Sequence, residues 1–173
     1  FFGLENVTKI KIERSNFQRI EAGAFEGLNK LQHLWLQYNS LKNIDPNALL
    51  PLTKLKHIVL YERSLQNLPG TLIQNQTELE SLAISFYRIS SLKSDFFENN
   101  ENLTSLSLKD VTAFVTKEKT AAIFPDRIFD SLMKLKNITF QGKGLNNLPE
   151  TLFRRNENLE RFVWKMYKCS NDT

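Results

Sequence analysis

The sequence predicts an α/β solenoid in which short parallel strands line the concave side of a curved array. Two observations lead to this fold class. Residues 65–73 read LQNLPGTLI and residues 145–153 read LNNLPETLF, so nearly the same segment is written twice. An apolar pattern, L-x-x-L-x-L, also recurs along the whole chain at a nearly constant spacing. Such a period is typical of stacked units, none of which can bury its apolar face alone.

The apolar pattern sets the boundaries of the units. It opens at intervals of 24, 24, 24, 24, 32 and 24 residues. The opening residues are Val7, Leu31, Leu55, Leu79, Leu103, Leu135 and Leu159. Alternation within each core, as in LQHLWL at 31–36, predicts a strand, and this core at this period is the leucine-rich-repeat signature. We therefore expect residues 1–173 to be a single horseshoe array of about seven units, and a fragment of a longer ectodomain.

The convex side of each unit is predicted to be irregular, with short helical turns. Asp45, Asp95 and Asp126 recur there at positions suited to cap such turns. A register of large apolar residues on this side predicts a stacked aromatic spine in the core. It consists of Phe25, Leu49, Ile73, Phe97, Phe129 and Phe153. The Asn that usually follows the strand core occurs only at Asn39, so we expect the other loops to be less uniform.

The fifth unit is eight residues longer than the others, and the surplus lies within 111–124. This insertion is predicted to leave the solenoid as a loop. Inserted loops are often tolerated surface excursions, but they also carry binding residues. The candidate binding residues of the loop are Phe114, Lys117 and Lys119.

Composition excludes several classes of protein. The 23 basic and 19 acidic residues give a net charge of +4, and the basic residues are scattered singly, so no nucleic-acid binding is predicted. No apolar run approaches the roughly 18 residues of a spanning helix, and any membrane segment is expected outside this chain. The single cysteine, Cys169, is either a buried thiol or the partner of a cysteine beyond Thr173.

The sequence predicts neither an enzyme nor a cofactor. Cys169 lies more than four units from His33 and His57, so neither imidazole can activate its thiol. The GKG at 142–144 lacks the remaining residues of a phosphate-binding loop. No metal site is expected, because no Cys, Asp or Glu shares the face of the two histidines.

An aromatic cluster on the concave face is the predicted ligand-binding site. Its members are His33, Trp35, Tyr38, His57, Tyr61 and Phe86. Aromatic anchors are typical of interface hot spots, and the alternative is that these are scattered surface residues. His33 and His57 share one register and are predicted to stack. Protonation of both would then weaken a bound partner in mild acid, unless they are simply two surface histidines.

Five acceptor sequons favour a secreted or cell-surface glycoprotein. They begin at Asn6, Asn75, Asn102, Asn137 and Asn171. Asn137 lies within a strand unit and is predicted to face the concave side, where a glycan would block a protein partner.

Two segments carry a resemblance to a known family. LQNLPGTLIQNQTELESLAI at 65–84 and FPDRIFDSLMKLKNITFQGKGLNNLPETLFRRNENLERF at 124–162 resemble the leucine-rich repeats of arthropod Toll receptor ectodomains. These repeats favour L-P-x-x-L-F followed by a polar stretch and the next L-x-x-L-x-L. The resemblance covers most of the chain and is strongest from about 55 to 165.

The resemblance implies an extracellular recognition module of a type I membrane receptor of innate immunity or development. It implies that the ectodomain binds a cystine-knot cytokine of the Spätzle type, that receptors dimerise, and that signalling occurs through a domain outside this chain. The alternative is a soluble, secreted immune carrier or adaptor that acts by protein assembly. A structural protein with glycan-coated faces is a third reading, in which the aromatic cluster binds nothing.

Overall fold

The computed structural model of the chain describes residues 3–65, 68–86, 92–110, 124–142 and 148–165. Within these ranges nine strands form two parallel sheets, one of seven strands and one of two. In chain order they are β1 (Lys9–Glu13), β2 (Arg19–Ile20), β3 (His33–Gln37), β4 (Asn43–Ile44), β5 (His57–Tyr61), β6 (Ser81–Phe86), β7 (Ser105–Asp110), β8 (Asn137–Gln141) and β9 (Arg161–Lys165). β2 pairs with β4, and the other seven strands form the main sheet.

The pairing register of the main sheet equals the sequence period. His33 of β3 pairs with Lys9 of β1 and with His57 of β5, each 24 residues away. Ser105 of β7 pairs with Asn137 of β8 across the longer unit, 32 residues away. Because each strand lies beside the equivalent strand of the next unit, the same apolar positions stack into one core. The predicted solenoid of parallel strands is confirmed.

Burial alternates along β1, β3, β5, β7 and β8 as the period-two pattern requires. In β3 the side chains of Leu34 and Leu36 are buried, whereas His33, Trp35 and Gln37 are partly exposed. The exposed positions of the main sheet form the concave face, and the buried positions line the core.

The convex side is irregular, as expected, but the described residues form no helices there. Successive turns replace them. In the second unit the Ala48 N–H donates to the Asp45 carbonyl at 3.0 Å, and the Leu52 N–H donates to the Leu49 carbonyl at 3.0 Å. Each N–H reaches a carbonyl three residues earlier, so the chain bends toward the next strand instead of extending as a helix. Asp45 caps its turn, because its Oδ1 accepts the Asn47 N–H at 2.8 Å.

The predicted aromatic spine forms where the register holds phenylalanine. The ring centroids of Phe97 and Phe129 are 5.9 Å apart, and those of Phe129 and Phe153 are 5.7 Å apart and nearly parallel. Phe124 and Phe140 pack against the same rings. Stacked aromatic groups thus fill the core of the later units.

Asn39 belongs to a buried polar seam beneath the loops that follow the strands. Its Oδ1 accepts the Ser15 N–H at 3.0 Å, and its Nδ2 donates to the Ile12 carbonyl and to Glu62 Oε1. The Glu62 N–H donates to Ser85 Oγ at 2.7 Å. Glu62 and Ser85 therefore continue the role of Asn39 from slightly earlier positions in their own units. We name Asn39, Glu62 and Ser85 the loop seam.

A second set of buried amides lies on the convex side. We name Gln76, Asn100 and Asn156, which share a register with Leu28, Leu52 and Leu132, the convex amides. Each donates to a backbone carbonyl of the preceding unit: Asn100 Nδ2 lies 3.1 Å from the Ile73 carbonyl and 3.0 Å from the Gln76 carbonyl. The convex amides cannot be predicted from the apolar pattern, because their register holds leucine in some units and an amide in others.

Candidate functional site

Parallel pairing arranges the outward side chains of the main sheet into rows. The first row is Lys9, His33, His57, Ser81, Ser105, Asn137 and Arg161. The second row is Lys11, Trp35, Val59, Ala83, Ser107, Thr139 and Val163. Neighbouring residues in a row are separated by one strand spacing, roughly 4.8 Å. Side chains from distant parts of the sequence therefore lie side by side.

Three of the predicted site residues form one ring stack. The His33 and His57 rings lie 4.6 Å apart at an interplanar angle of 15°. The His33 and Trp35 rings lie 5.3 Å apart at 19°. The His33 ring thus packs against both of the other rings. We name His33, His57 and Trp35 the ring stack.

Tyr61 crosses the sheet from the same strand as His57. Its hydroxyl lies 2.9 Å from Ser107 Oγ on β7, so the side chain must pass over β6. β6 leaves room for the Tyr61 side chain, because Ala83 is small and the Ser85 side chain is buried, where its hydroxyl donates to the Glu62 carbonyl. Lys109 Nζ lies 5.4 Å from the centroid of the Tyr61 ring, within the range of a cation–π contact.

The two remaining members of the predicted cluster are Tyr38 and Phe86. Tyr38 follows β3 with a positive φ of 55° and is about half exposed, and its backbone N–H donates to the Tyr61 carbonyl. Phe86 is the last residue of β6, where its backbone pairs with Asp110, and its side chain lies outside the described part of the structure.

The charged residues on the concave face are predominantly basic. Among the described strand positions that face outward, the basic residues are Lys9, Lys11, Lys109, Arg161 and Lys165. Glu13 is the acidic residue among them, and its carboxylate pairs with Lys11 Nζ at 2.9 Å. A partner that meets this face therefore meets a positive potential.

The environment of the ring stack lowers the pKa of His33. Burial is the main cause, followed by the charges of His57 and Lys9. Glu80 raises the pKa of His33, but its carboxylate also lies 3.0 Å from Lys56 Nζ. In the described ranges no three residues among His, Cys, Asp and Glu gather closely enough to hold a metal ion.

Two of the predicted glycosylation sites occupy equivalent positions on the exposed edge that precedes the strands. The Asn6 and Asn102 side chains accept Lys30 Nζ at 2.8 Å and Lys134 Nζ at 2.7 Å, respectively. Asn75 is also exposed. Asn137 lies in the first row on β8, between Ser105 and Arg161, and is partly buried.

Several predicted residues fall outside the described part of the structure. They are the loop residues Phe114, Lys117 and Lys119, the sequon residue Asn171, and Cys169. Within the described part, no helix is both long enough and apolar enough to cross a membrane.

Comparisons with known proteins identify the repeats. A family model described as leucine rich repeat matches residues 5–62. A second model, described as a BspA type leucine rich repeat region of six copies, matches residues 107–169. No curated protein matches the chain significantly in sequence.

The solved structures that share the fold include one that matches nearly the whole chain. It is the crystal structure of a TLR13–ssRNA13 complex, with a TM-score of 0.63 and 23% identity over 94% of this chain. The chain spans 26% of the length of that protein. The strands and pairing register of this chain agree with both repeat models, and the chain is a leucine-rich-repeat solenoid.

Proposed function

We propose that the chain is part of an extracellular, Toll-like receptor ectodomain that recognises a protein ligand on its concave face. The observation that carries this proposal is the ring stack, with Tyr61 beside it on the same sheet. Leucine-rich repeats and the shared fold with TLR13 support the receptor class. The five sequons support the extracellular location.

The aromatic side chains suit a binding surface because their positions are already fixed. The His33 ring packs against two neighbouring rings, and the Tyr61 hydroxyl is hydrogen-bonded to Ser107 Oγ. Side chains that are ordered before binding lose little conformational entropy when a partner covers them. Large aromatic groups of this kind provide most of the binding energy in many protein interfaces.

The ligand that we propose is a cystine-knot cytokine of the Spätzle type, because the repeat units resemble those of arthropod Toll receptors. Membrane attachment through a segment outside this chain and receptor dimerisation belong to the same proposal. The alternative, a soluble secreted carrier or adaptor, would use the same face for permanent assembly. A spanning helix in the sequence after Thr173 would favour the receptor, whereas a coiled-coil heptad pattern would favour the adaptor.

A single-stranded nucleic acid is the second candidate ligand, and two observations favour it. A solved structure with the same fold is a complex of TLR13 with ssRNA13. The outward strand positions also combine basic residues with aromatic rings, which is a common arrangement in proteins that bind single strands.

Binding measurements on the complete glycosylated protein separate these candidates. We expect processed Spätzle-type cytokine to bind, and the Trp35→Ala and Tyr61→Ala double variant to lose on the order of 30-fold or more in affinity. Met133→Ala serves as the control, because Met133 is 54% exposed and lies outside the strands of the concave face.

Each other outcome has a defined meaning. Retained cytokine binding in the folded double variant would place the site elsewhere, and the 111–124 loop would be tested next. Binding of single-stranded RNA without cytokine binding would favour the second candidate. Binding of neither would favour the carrier or adaptor.

A further inference from the structure

We infer that His33 and His57, together with Lys9, form a binding site for an acidic segment of a protein ligand, and that binding takes up a proton. This inference rests on the proposed recognition function and specifies the chemistry of the ligand at one end of the concave face. The three side chains are consecutive members of the first row.

The geometry places the two imidazoles side by side in one outward row. The His33 ring is nearly parallel to the rings of His57 and Trp35, at centroid distances of 4.6 Å and 5.3 Å. An imidazole interacts with polar groups through its ring nitrogens, which donate hydrogen bonds when protonated. A carboxylate accepts such bonds and gains additional strength from the charge.

The charged groups around the pair place no carboxylate in its row. β1 contributes Lys9, and Lys11 is already paired with Glu13. Next to His57 in the chain, Lys56 pairs with Glu80, which directly precedes β6. In the described first row no residue is acidic, so an incoming carboxylate would be the first anion in that row.

The titration of His33 couples this site to pH. Burial, His57 and Lys9 hold the pKa of His33 below its ordinary value, so the His33 imidazole of the free protein is largely neutral at neutral pH. A bound carboxylate favours the protonated imidazole and raises that pKa. Affinity should therefore increase as the pH falls through the pKa of the bound state, by the reciprocity of linked binding.

This sign is opposite to the one expected from the sequence. Repulsion between two protonated histidines predicts that mild acid weakens binding. An acidic ligand reverses that prediction, because its carboxylate shares the proton with the pair and screens its charge. The direction of the pH dependence thus reports the charge of the ligand.

The ring stack also favours an acidic protein segment over a nucleic acid at this position. Single-stranded nucleic acids bind largely by stacking bases on free aromatic faces. Here the His33 ring already lies nearly parallel to two neighbouring rings, at centroid distances of 4.6 Å and 5.3 Å, which leaves less of it free to stack on a base. Contact through ring nitrogens and the Lys9 ammonium remains open to carboxylates.

The test uses a hexaglutamate peptide with the purified complete protein at about pH 6 and about pH 8, where the peptide stays ionised. Calorimetry measures the affinity, and NMR follows this chain's two histidines. We expect affinity on the order of tenfold higher at the lower pH, and a histidine pKa that rises when peptide is added. His33→Gln and His57→Gln should remove the pH dependence, whereas Lys42→Gln, which also removes an exposed cation, should keep it.

Several results would overturn the inference. They are affinity that is unchanged or lower at the lower pH, no detectable binding, unchanged histidine pKa values, or equal effects of the histidine and Lys42 variants. Proton-linked binding of an oligouridylate but not of hexaglutamate would assign the site to phosphates. Because hexaglutamate tests the site without the cytokine, a failure here with cytokine binding intact overturns only this inference. Proton-linked peptide binding without any cytokine binding overturns only the receptor proposal.

Discussion

Glu62 is a carboxyl group buried in the loop seam, with only 2% of its surface exposed. Its Oε1 accepts the Asn39 N–H at 3.1 Å and Asn39 Nδ2 at 2.9 Å. Glu62→Gln keeps an acceptor oxygen, so we expect the free energy of unfolding at neutral pH to change by no more than about 1 kcal/mol. Glu62→Ala leaves both Asn39 donors without this acceptor and should cost about 1–3 kcal/mol. Urea denaturation of both variants measures the difference.

The pH dependence of the same variants checks the state of the carboxyl group. Burial raises the pKa of Glu62, although its bonds to Asn39 oppose the shift. A raised pKa in the folded state contributes stability below the ordinary glutamate value of 4.5, which is lost as the pH rises through the folded value. The wild type should therefore lose stability relative to Glu62→Gln as the pH rises from 4.5 to the pKa of the folded state. A difference that does not change with pH would show that Glu62 titrates alike in the folded and unfolded chains.

Gly142 allows β8 to end close against Asp110. It has a φ of +142°, and a Cβ built at this position would lie 2.6 Å from Asp110 Cβ and 2.9 Å from its carbonyl oxygen. Gly142→Ala should destabilise the protein by about 2 kcal/mol or more, because the backbone conformation and the contact both become unfavourable. Gly27→Ala is the control: its φ is +83°, but the space around it is open. Thermal unfolding should show about 1 kcal/mol for the control, and equal losses in the two variants would exclude crowding at Gly142.

At the scale of the repeating unit, the convex amides connect each turn to the one before it. Asn100 is completely buried and donates to two backbone carbonyls of the preceding unit. Asn100→Ala should cost about 1–3 kcal/mol, because those carbonyls lose a donor that water cannot replace. The neighbouring Asn99 is exposed and donates to one carbonyl, so Asn99→Ala should change stability by about 0.5 kcal/mol or less. Equal effects in chemical denaturation would contradict a structural role for burial at Asn100.

Individual elements differ in how far the sequence alone predicts them. The strands were predictable because parallel pairing places each apolar core beside its copy, and the 24-residue period records that pairing. The convex side is irregular, as predicted, and its turns share Asp caps and an apolar residue every three or four positions with short helices, so the sequence does not separate the two. Glu62 and Ser85 were missed because each lies at a different offset from its strand core, so a search for one register cannot find them.

The site was predictable only for strand residues, because the alternation of a strand decides which side chains face the concave side. That alternation places His33, His57 and Trp35 on the outer face, and the shared register predicted the histidine stack that the structure shows. The path of Tyr61 over β6 could not be predicted, because it depends on the rotamer of a long side chain that can reach more than one neighbouring strand. The basic character of the face was also missed, since its cations are far apart in the sequence and meet only through stacking.

For the whole molecule, the solenoid predicts that damage stays local. Each unit contacts mainly its neighbours, so stability is close to a sum of unit and interface contributions. Phe129 is fully buried between Phe97 and Phe153, and Phe129→Ala should cost about 3–5 kcal/mol. Hydrogen exchange should then lose protection in β7, β8 and β9 before β3 and β5.

The control for this experiment is Leu50→Ala, because Leu50 is 42% exposed on the convex side. It should leave exchange unchanged throughout. A uniform loss of protection in Phe129→Ala would show that the described units unfold as a single cooperative block.

The path of the Tyr61 side chain changes the surface that a ligand would contact on the concave face. Seven strands carry the hydrogen bonds of the main sheet, but the Tyr61 ring bridges β5 and β7 above β6. At that point the Tyr61 side chain projects above the sheet and covers β6. A ligand bound there would contact β5 and β7 as if they were adjacent, so the accessible surface is one strand narrower than the sheet.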